Sequence, residues 1–162
     1  MKEQRKTKIP IVIDTREQQP WQFEEQEFYS FDREYRGLAT GDYTILGLER
    51  MFVIERKAST SEVARNILES RFEEELKRLT QFNYPFIVCE FEIKDIVMFP
   101  MNSGIPHKLW DSLKITGPFL MKKIIEFQIS YGIPWIFAGD YAEEFAVSLI
   151  KRMYKELKNG HS

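Results

Sequence analysis

Glu55-Arg56-Lys57 closes the apolar run Phe52-Val53-Ile54, and Asp42 stands upstream of it in Gly41-Asp42-Tyr43. Side chains alternate along a strand, so a strand over 52–57 sends Glu55 and Lys57 out of one face and Arg56 out of the other. Asp42 then lies one strand away, across a short hairpin-like insert. Two carboxylates at this spacing can hold a hard divalent cation, Mg2+ or Mn2+, through oxygen. A lysine beside them can orient or deprotonate an attacking water, which is what metal-assisted phosphodiester hydrolysis needs. The tripeptide alone also fits a surface strand that ends in solvated charges, so its surroundings must decide.

Upstream, Ile9-Pro10-Ile11-Val12-Ile13-Asp14 is a continuous apolar run ending on an acid, followed by Thr15-Arg16-Glu17. It predicts a buried strand whose polar tip leaves the sheet, with Ile11 and Ile13 on one face and Val12 and Asp14 on the other. An acid in that place also serves as a turn or cap residue. Asp14, Asp42, Glu55 and Lys57 nevertheless all fall at or near strand ends in the first third of the chain, where a sheet can bring them together.

In order, the chain carries I-V-I-D-T-R-E, G-D-Y, V-I-E-R-K and S-R-F-E-E-E-L-K-R-L. This series resembles the nuclease domain of the XPF-type structure-specific endonucleases, whose pattern is V-x-D-x-R-E, G-D-Y or G-D-F, E-R-K followed by an acid, then G-R-[FY]-x-x-Q-x-x-R-L. Beyond the first eight residues the whole chain can be laid on that one domain. The resemblance implies Asp14, Asp42 and Glu55 as metal-site acids and Lys57 as the catalytic lysine. It implies Arg56 and Arg71 as supporting basic residues, with Arg16 and Glu17 inside the first motif. Three positions depart from the pattern. The acid after E-R-K is displaced by one residue to Glu62, the glycine before Arg71 is Ser70, and the glutamine is Glu75.

With 162 residues, 43% of them hydrophobic, the chain suits a single compact domain over 9–158 behind a flexible charged tail over 1–8. The net charge of −2 provides no global basic footprint for nucleic acid. Any DNA contact must therefore use local charge, for which Arg16, Arg33, Arg36, Arg56, Lys57, Arg65, Arg71, Lys77 and Arg78 are candidates. The single cysteine, Cys89, lies in an apolar run, so it reads as a buried strand residue and excludes a disulfide within the chain. The charged N-terminus has no apolar stretch behind it for a signal peptide or membrane span. The expected setting is intracellular, cytoplasmic in a prokaryote or virus and nuclear in a eukaryote. His107, after Pro106 and without a partner motif, reads as a turn or helix-start residue rather than part of a triad.

Further strands are predicted over 29–36 and 86–91, with a hairpin from Tyr43 to Lys57 turning near Gly47. Ser59-Thr60-Ser61-Glu62 is a capping-box pattern, and Val63, Ile67, Leu68, Phe72, Leu76 and Leu79 continue at helical spacing, predicting one long helix. Arg71 and Arg78 share its face, with Glu75 between them, as DNA contacts or as an ion-pair ladder. A helical zone over 107–131 broken at Gly117-Pro118, a strand over 133–137 and a helix from Tyr141 to Leu157 complete the chain. The order suits a mixed sheet flanked by helices, the restriction-endonuclease-like α/β fold that the resemblance also implies. Trp21, Phe23, Phe28 and Tyr29 are available either to stack on unpaired bases or to pack in the core.

The expected function is a metal-dependent DNA endonuclease, with cleavage near single-strand/duplex junctions taken from the resemblance alone. Inactive DNA-binding or scaffolding relatives, and generic single-strand or duplex nucleases of the same fold, are the alternatives. Family enzymes commonly carry a tandem helix-hairpin-helix module, for which the chain to Ser162 leaves no room. The apolar arc of the last helix (Tyr141, Phe145, Leu149, Met153, Leu157, with Ala142, Ala146, Ile150 and Tyr154 beside it) is wider than one sheet face needs. That width predicts a homodimer through this helix.

Overall fold

The computed structural model of the chain describes residues 5–159; the first four residues of the tail expected over 1–8 lie outside them, and Thr7 and Lys8 belong to a strand instead, paired with Tyr29 and Ser30. Six strands form one mixed sheet: β1 (Thr7–Asp14), β2 (Tyr29–Arg36), β3 (Tyr43–Ile45), β4 (Phe52–Lys57), β5 (Tyr84–Cys89) and β6 (Trp135–Phe137), in the order β2-β1-β3-β4-β5-β6. β1 runs parallel to β2 and antiparallel to β3, and β3 runs antiparallel to β4. β4, β5 and β6 are mutually parallel.

Register collects the acids at one end of this sheet. Ile13 pairs with Tyr43, and Tyr43 pairs with Ile54. Asp42 therefore continues β3 between the carboxyl ends of β1 and β4. The Asp14 N–H donates to the Asp42 carbonyl at 2.8 Å, and the Asp42 N–H donates to the Ile54 carbonyl at 2.9 Å.

Alternation along β1 and β4 divides the interior into two cores. Val53, Ile87 and Cys89 meet the helices α1 (Thr60–Ile67), α2 (Ser70–Leu79) and α4 (Gly117–Tyr131), through Val63, Phe72, Leu76, Leu79, Leu120 and Ile124 among others. On the other face Ile9, Ile11, Ile13, Ile45, Phe52, Ile54 and Val88 meet Ala142, Ala146, Ile150 and Leu157 of α5 (Ala142–Asn159), together with Trp21 and Phe23. Removing a side chain such as Leu76, fully buried here, costs about 2–5 kcal/mol.

Several predicted elements need correction. The long helix is two helices, because Leu68 caps α1 and Glu69 takes an extended conformation (φ −106, ψ 125) before α2 begins. Each helix keeps its own apolar spacing, so the break leaves no mark on the periodicity. In the 107–131 zone, His107–Ser112 is a 3-10 turn, and Pro118 starts a helix rather than interrupting one. Thr116 caps α4 by accepting from the Phe119 N–H, and proline fits the first turn, where the N–H has no helical partner. A short helix, α3 (Ile93–Val97), was not anticipated; Glu92 and Asp95 cap it reciprocally. The α5 arc is mostly used in the core: Phe145, Leu149, Met153 and Tyr154 pack partly buried, and Tyr141 alone of the arc is largely exposed, at 73%.

Candidate active site

The end of the sheet where β1, β3 and β4 converge opens into a cleft of about 410 Å³ whose other wall is α1 and α2. Asp14, Arg16, Glu17, Asp42, Glu55, Lys57, Glu62, Arg71, Glu75 and Arg78 all line it. Arg56 stands elsewhere, and of the further cations named as DNA-contact candidates Arg33, Arg36, Arg65 and Lys77 also lie outside the cleft lining. Arg56 points through the opposite face of β4, as strand alternation requires.

Asp42 is placed by its backbone. Gly41 takes φ +83, and a Cβ there would come within 2.0 Å of Val53 Cγ2, so only glycine lets the strand turn this close to β4. The Asp42 Oδ2 atom accepts the Arg56 N–H at 2.7 Å. Burial outweighs that bond and, with the charge of Glu17 and Glu75, pushes the Asp42 carboxyl up to about 7. Glu55 is almost fully buried, and burial first, then Asp42, raises its carboxyl well above the usual range; the Glu75 carboxyl lies within hydrogen-bonding reach of it.

Lys57 Nζ lies 3.4 Å from Glu55 Oε1 and donates to Asn66 Oδ1 at 2.9 Å. It also sits 4.9 Å over the Phe72 ring. Burial would lower this amine, but the carboxylates of Glu55, Glu75, Glu62 and Asp42 outweigh it and hold the ammonium above its ordinary range. The side chain is thus a fixed positive charge and hydrogen-bond donor.

Asp14 is 1% exposed and already engaged. Its Oδ2 accepts from Arg16 Nε at 2.7 Å and its Oδ1 from the Leu38 N–H at 2.9 Å, which ties the 37–41 loop to the end of β1. Glu62 caps α1, accepting the Ala58 N–H at 2.8 Å rather than that of Ser59 as a strict capping box would, and lies 3.9 Å from Lys57. Arg71 pairs with Glu69 at 2.6 Å and not with Glu75, so the predicted ladder does not form; Arg71 and Arg78 are exposed at the mouth of the cleft.

Behind the site, Arg56 is a clamp. Its guanidinium bonds Glu90, Glu17 (2.9 Å) and the Gln19 carbonyl (2.6 Å) and lies over the Trp21 ring at 5.1 Å. Glu17 also accepts from the Tyr43 hydroxyl at 2.7 Å, and Trp21 stacks on Tyr43 with ring centres 4.6 Å apart. Trp21 and Phe23 are consequently core residues, not base platforms. Asn66 and Glu90 went unnoticed in the sequence. Asn66 sits four residues after Glu62, one turn along the same helix face, which was the signal available.

The donor set fits a hard cation. Asp42 and Glu55 offer only oxygen; burial first, and neighbouring carboxylates second, raise both groups, and a dication would stabilise their ionised forms. Among the described residues no set of three or more His, Cys, Asp or Glu is preassembled around one point. Two carboxylates suffice for Mg2+, which keeps several waters and uses substrate phosphate oxygens.

Comparisons with known proteins identify the family and the fold. The family profile described as the ERCC4 domain matches residues 13–151. In fold the chain is similar to XPF from Aeropyrum pernix, with a TM-score of 0.62 and 18% identity over 93% of this chain and 67% of that one. It is also similar to XPF from Aeropyrum pernix in complex with DNA, with a TM-score of 0.60 and 19% identity over 91% of this chain and 66% of that one. The chain thus spans about two thirds of the length of these structures. None of the curated proteins compared with the chain matches it.

Proposed function

From the premise that this chain belongs to the ERCC4 domain family, we propose that it is a divalent-metal-dependent endonuclease that hydrolyses DNA phosphodiesters near single-strand/duplex junctions. The observation that carries the reading is the pairing of Asp42 and Glu55 in an open cleft with the Lys57 ammonium 3.4 Å from Glu55. Asp42 and Glu55 would hold Mg2+ or Mn2+, and the ion, when bound, would supply Lewis acidity toward a phosphoryl oxygen and lower the pKa of a water. Lys57 orients that water by donating a hydrogen bond and offsets negative charge as it develops. Asp14 positions the loop leading to Asp42, and Glu62 and Asn66 hold Lys57 in place.

DNA as the substrate is supported by the XPF structure in complex with DNA and by the exposed Arg71 and Arg78 at the mouth of the cleft. Self-association through α5 belongs to the same reading. The most exposed residue of the predicted arc is Tyr141, just before α5, and sedimentation of wild type and Tyr141→Glu decides it. Among the described residues no helix is long and apolar enough to cross a membrane.

The test is cleavage of flap, bubble, single-stranded and duplex substrates with Mg2+, Mn2+ or chelator. Asp42→Ala and Glu55→Ala abolish cutting and weaken metal binding, whereas Lys57→Ala abolishes cutting and keeps the metal. Cutting in chelator, or wild-type rates from any of the three variants, overturns the assignment. Equal rates on all substrates leave a generic nuclease, and metal-free DNA binding without cleavage leaves a scaffold.

A further inference from the structure

Helix α1 has two working faces, and the cleft uses one. Glu62 and Asn66 turn toward Lys57, while Ala64, Arg65 and, just past the helix end, Leu68 turn the other way. There they form one wall of a separate groove of about 620 Å³, larger than the cleft, which is closed on its other side by the 99–115 segment. Its apolar lining includes Leu68, Ile105, Leu109 and Leu113. Leu68 is 65% exposed and Leu109 45%, so a substantial apolar surface remains in water.

The charge of this groove is one-sided. Arg65 and Lys114 line it, no acidic side chain does, and neither cation has an ion-pair partner among the described residues. Both cations are exposed, and they stand beside apolar surface. An apolar floor with an unneutralised cationic rim fits one chemistry, a segment with apolar anchors flanked by carboxylates.

We propose that this groove docks an acidic amphipathic peptide segment of a partner protein, with two or three apolar side chains at helical spacing entering between Leu68 and Leu109 and its carboxylates meeting Arg65 and Lys114. Two other occupants fit less well. Unpaired bases need exposed rings to stack on, and the one aromatic side chain in the lining, Phe99, is 7% exposed. A second copy joined by a two-fold axis would set Arg65 and Lys114 against their own copies, cation against cation.

Selection of a random-peptide phage library on the whole chain, followed by fluorescence anisotropy with the best enriched peptide, tests the proposal. Enriched sequences should pair Leu, Ile or Phe at helical spacing with Asp or Glu. Their affinity should fall by roughly tenfold or more in Leu109→Glu and in Lys114→Glu, the scale at which an anchor in a groove is felt. Both sites are exposed, and unchanged thermal melting confirms that the variants fold. Asp42→Ala should bind the peptide as wild type does, which keeps this result separate from the fate of the nuclease reading. Failure to enrich any peptide, or undiminished binding by both groove variants, overturns the proposal. So does an oligothymidine probe whose binding Leu109→Glu weakens, which makes the occupant nucleic acid, or a wild-type dimer that Leu68→Glu disperses, which makes it a second copy.

Discussion

The Asp42 carboxylate is held at 2.7 Å by the main-chain N–H of Arg56, while the Arg56 side chain points through the far side of the sheet to Glu17 and Glu90. One residue thus serves the cleft with its backbone and the core behind it with its side chain. Truncating the side chain leaves two partly buried carboxylates without their cation but spares the bond to Asp42. Arg56→Ala should therefore lower stability by about 1–3 kcal/mol while the folded protein still binds metal. Arg56→Lys should recover only part of the loss, since an ammonium cannot reach Glu17, Glu90 and the Gln19 carbonyl together. Urea melts and metal titrations separate the two effects; lost metal affinity with unchanged stability would contradict this account.

Stability without metal should fall as pH rises. The Asp42 carboxyl titrates near 7 in the folded chain, against about 4 when unfolded. The folded state therefore binds more protons across that interval and loses its advantage as they leave. Glu55 is displaced in the same direction. Thermal melts in chelator should decline between about pH 4 and 7, and Mg2+ should restore stability most at the alkaline end, where both carboxylates are free to bind it.

Glu75 adds a like charge beside Glu55, raising Glu55 and Asp42 and helping to keep Lys57 charged. Replacing it by the uncharged isostere removes that repulsion. Glu75→Gln should bind Mn2+ at lower pH than wild type does, and the acid limb of its pH–rate profile should move the same way. An unmoved metal-binding midpoint would show that Glu75 lies outside the electrostatics of the site.

Arg71 and Arg78 stand exposed at the mouth of the cleft, Arg71 held only by Glu69. If each meets a phosphate, Arg71→Ala and Arg78→Ala should weaken DNA binding alike for all sequences and reduce the salt slope by roughly one each. Salt-dependent anisotropy measures this. A change in melting temperature with an unchanged slope would make them ion-pair residues only.

The sequence made the site more legible than the path to it. Glu55 and Lys57 share a face opposite Arg56 because strand alternation permits nothing else, and the apolar run ending at Asp14 announced its strand directly. The break at Leu68-Glu69 was hidden, because two helices that bury stripes against the same sheet keep the periodicity of one. Pro118 is ambiguous for a related reason: proline disfavours helix in the residue before it and suits the first turn of a helix it begins, and tertiary packing selects between them. Which cation meets which acid was not legible at all. Arg71 pairs with Glu69, two residues away, rather than Glu75, while Arg56 meets Glu17 and Glu90 through the fold of distant segments.

Every residue lining the cleft falls between Asp14 and Arg78, while β5, β6, α3, α4 and α5 come after it. The chemistry is therefore encoded in one unbroken stretch, and the later half contributes the backing of the sheet and much of the outward surface, including one wall of the groove beside α1. Selection can act on the two halves separately. A lineage can redraw its outer contacts by substituting exposed positions after Tyr84, such as Leu109 and Lys114, while Asp42, Glu55 and Lys57 stay untouched, so new associations can arise without the cleft having to be built twice.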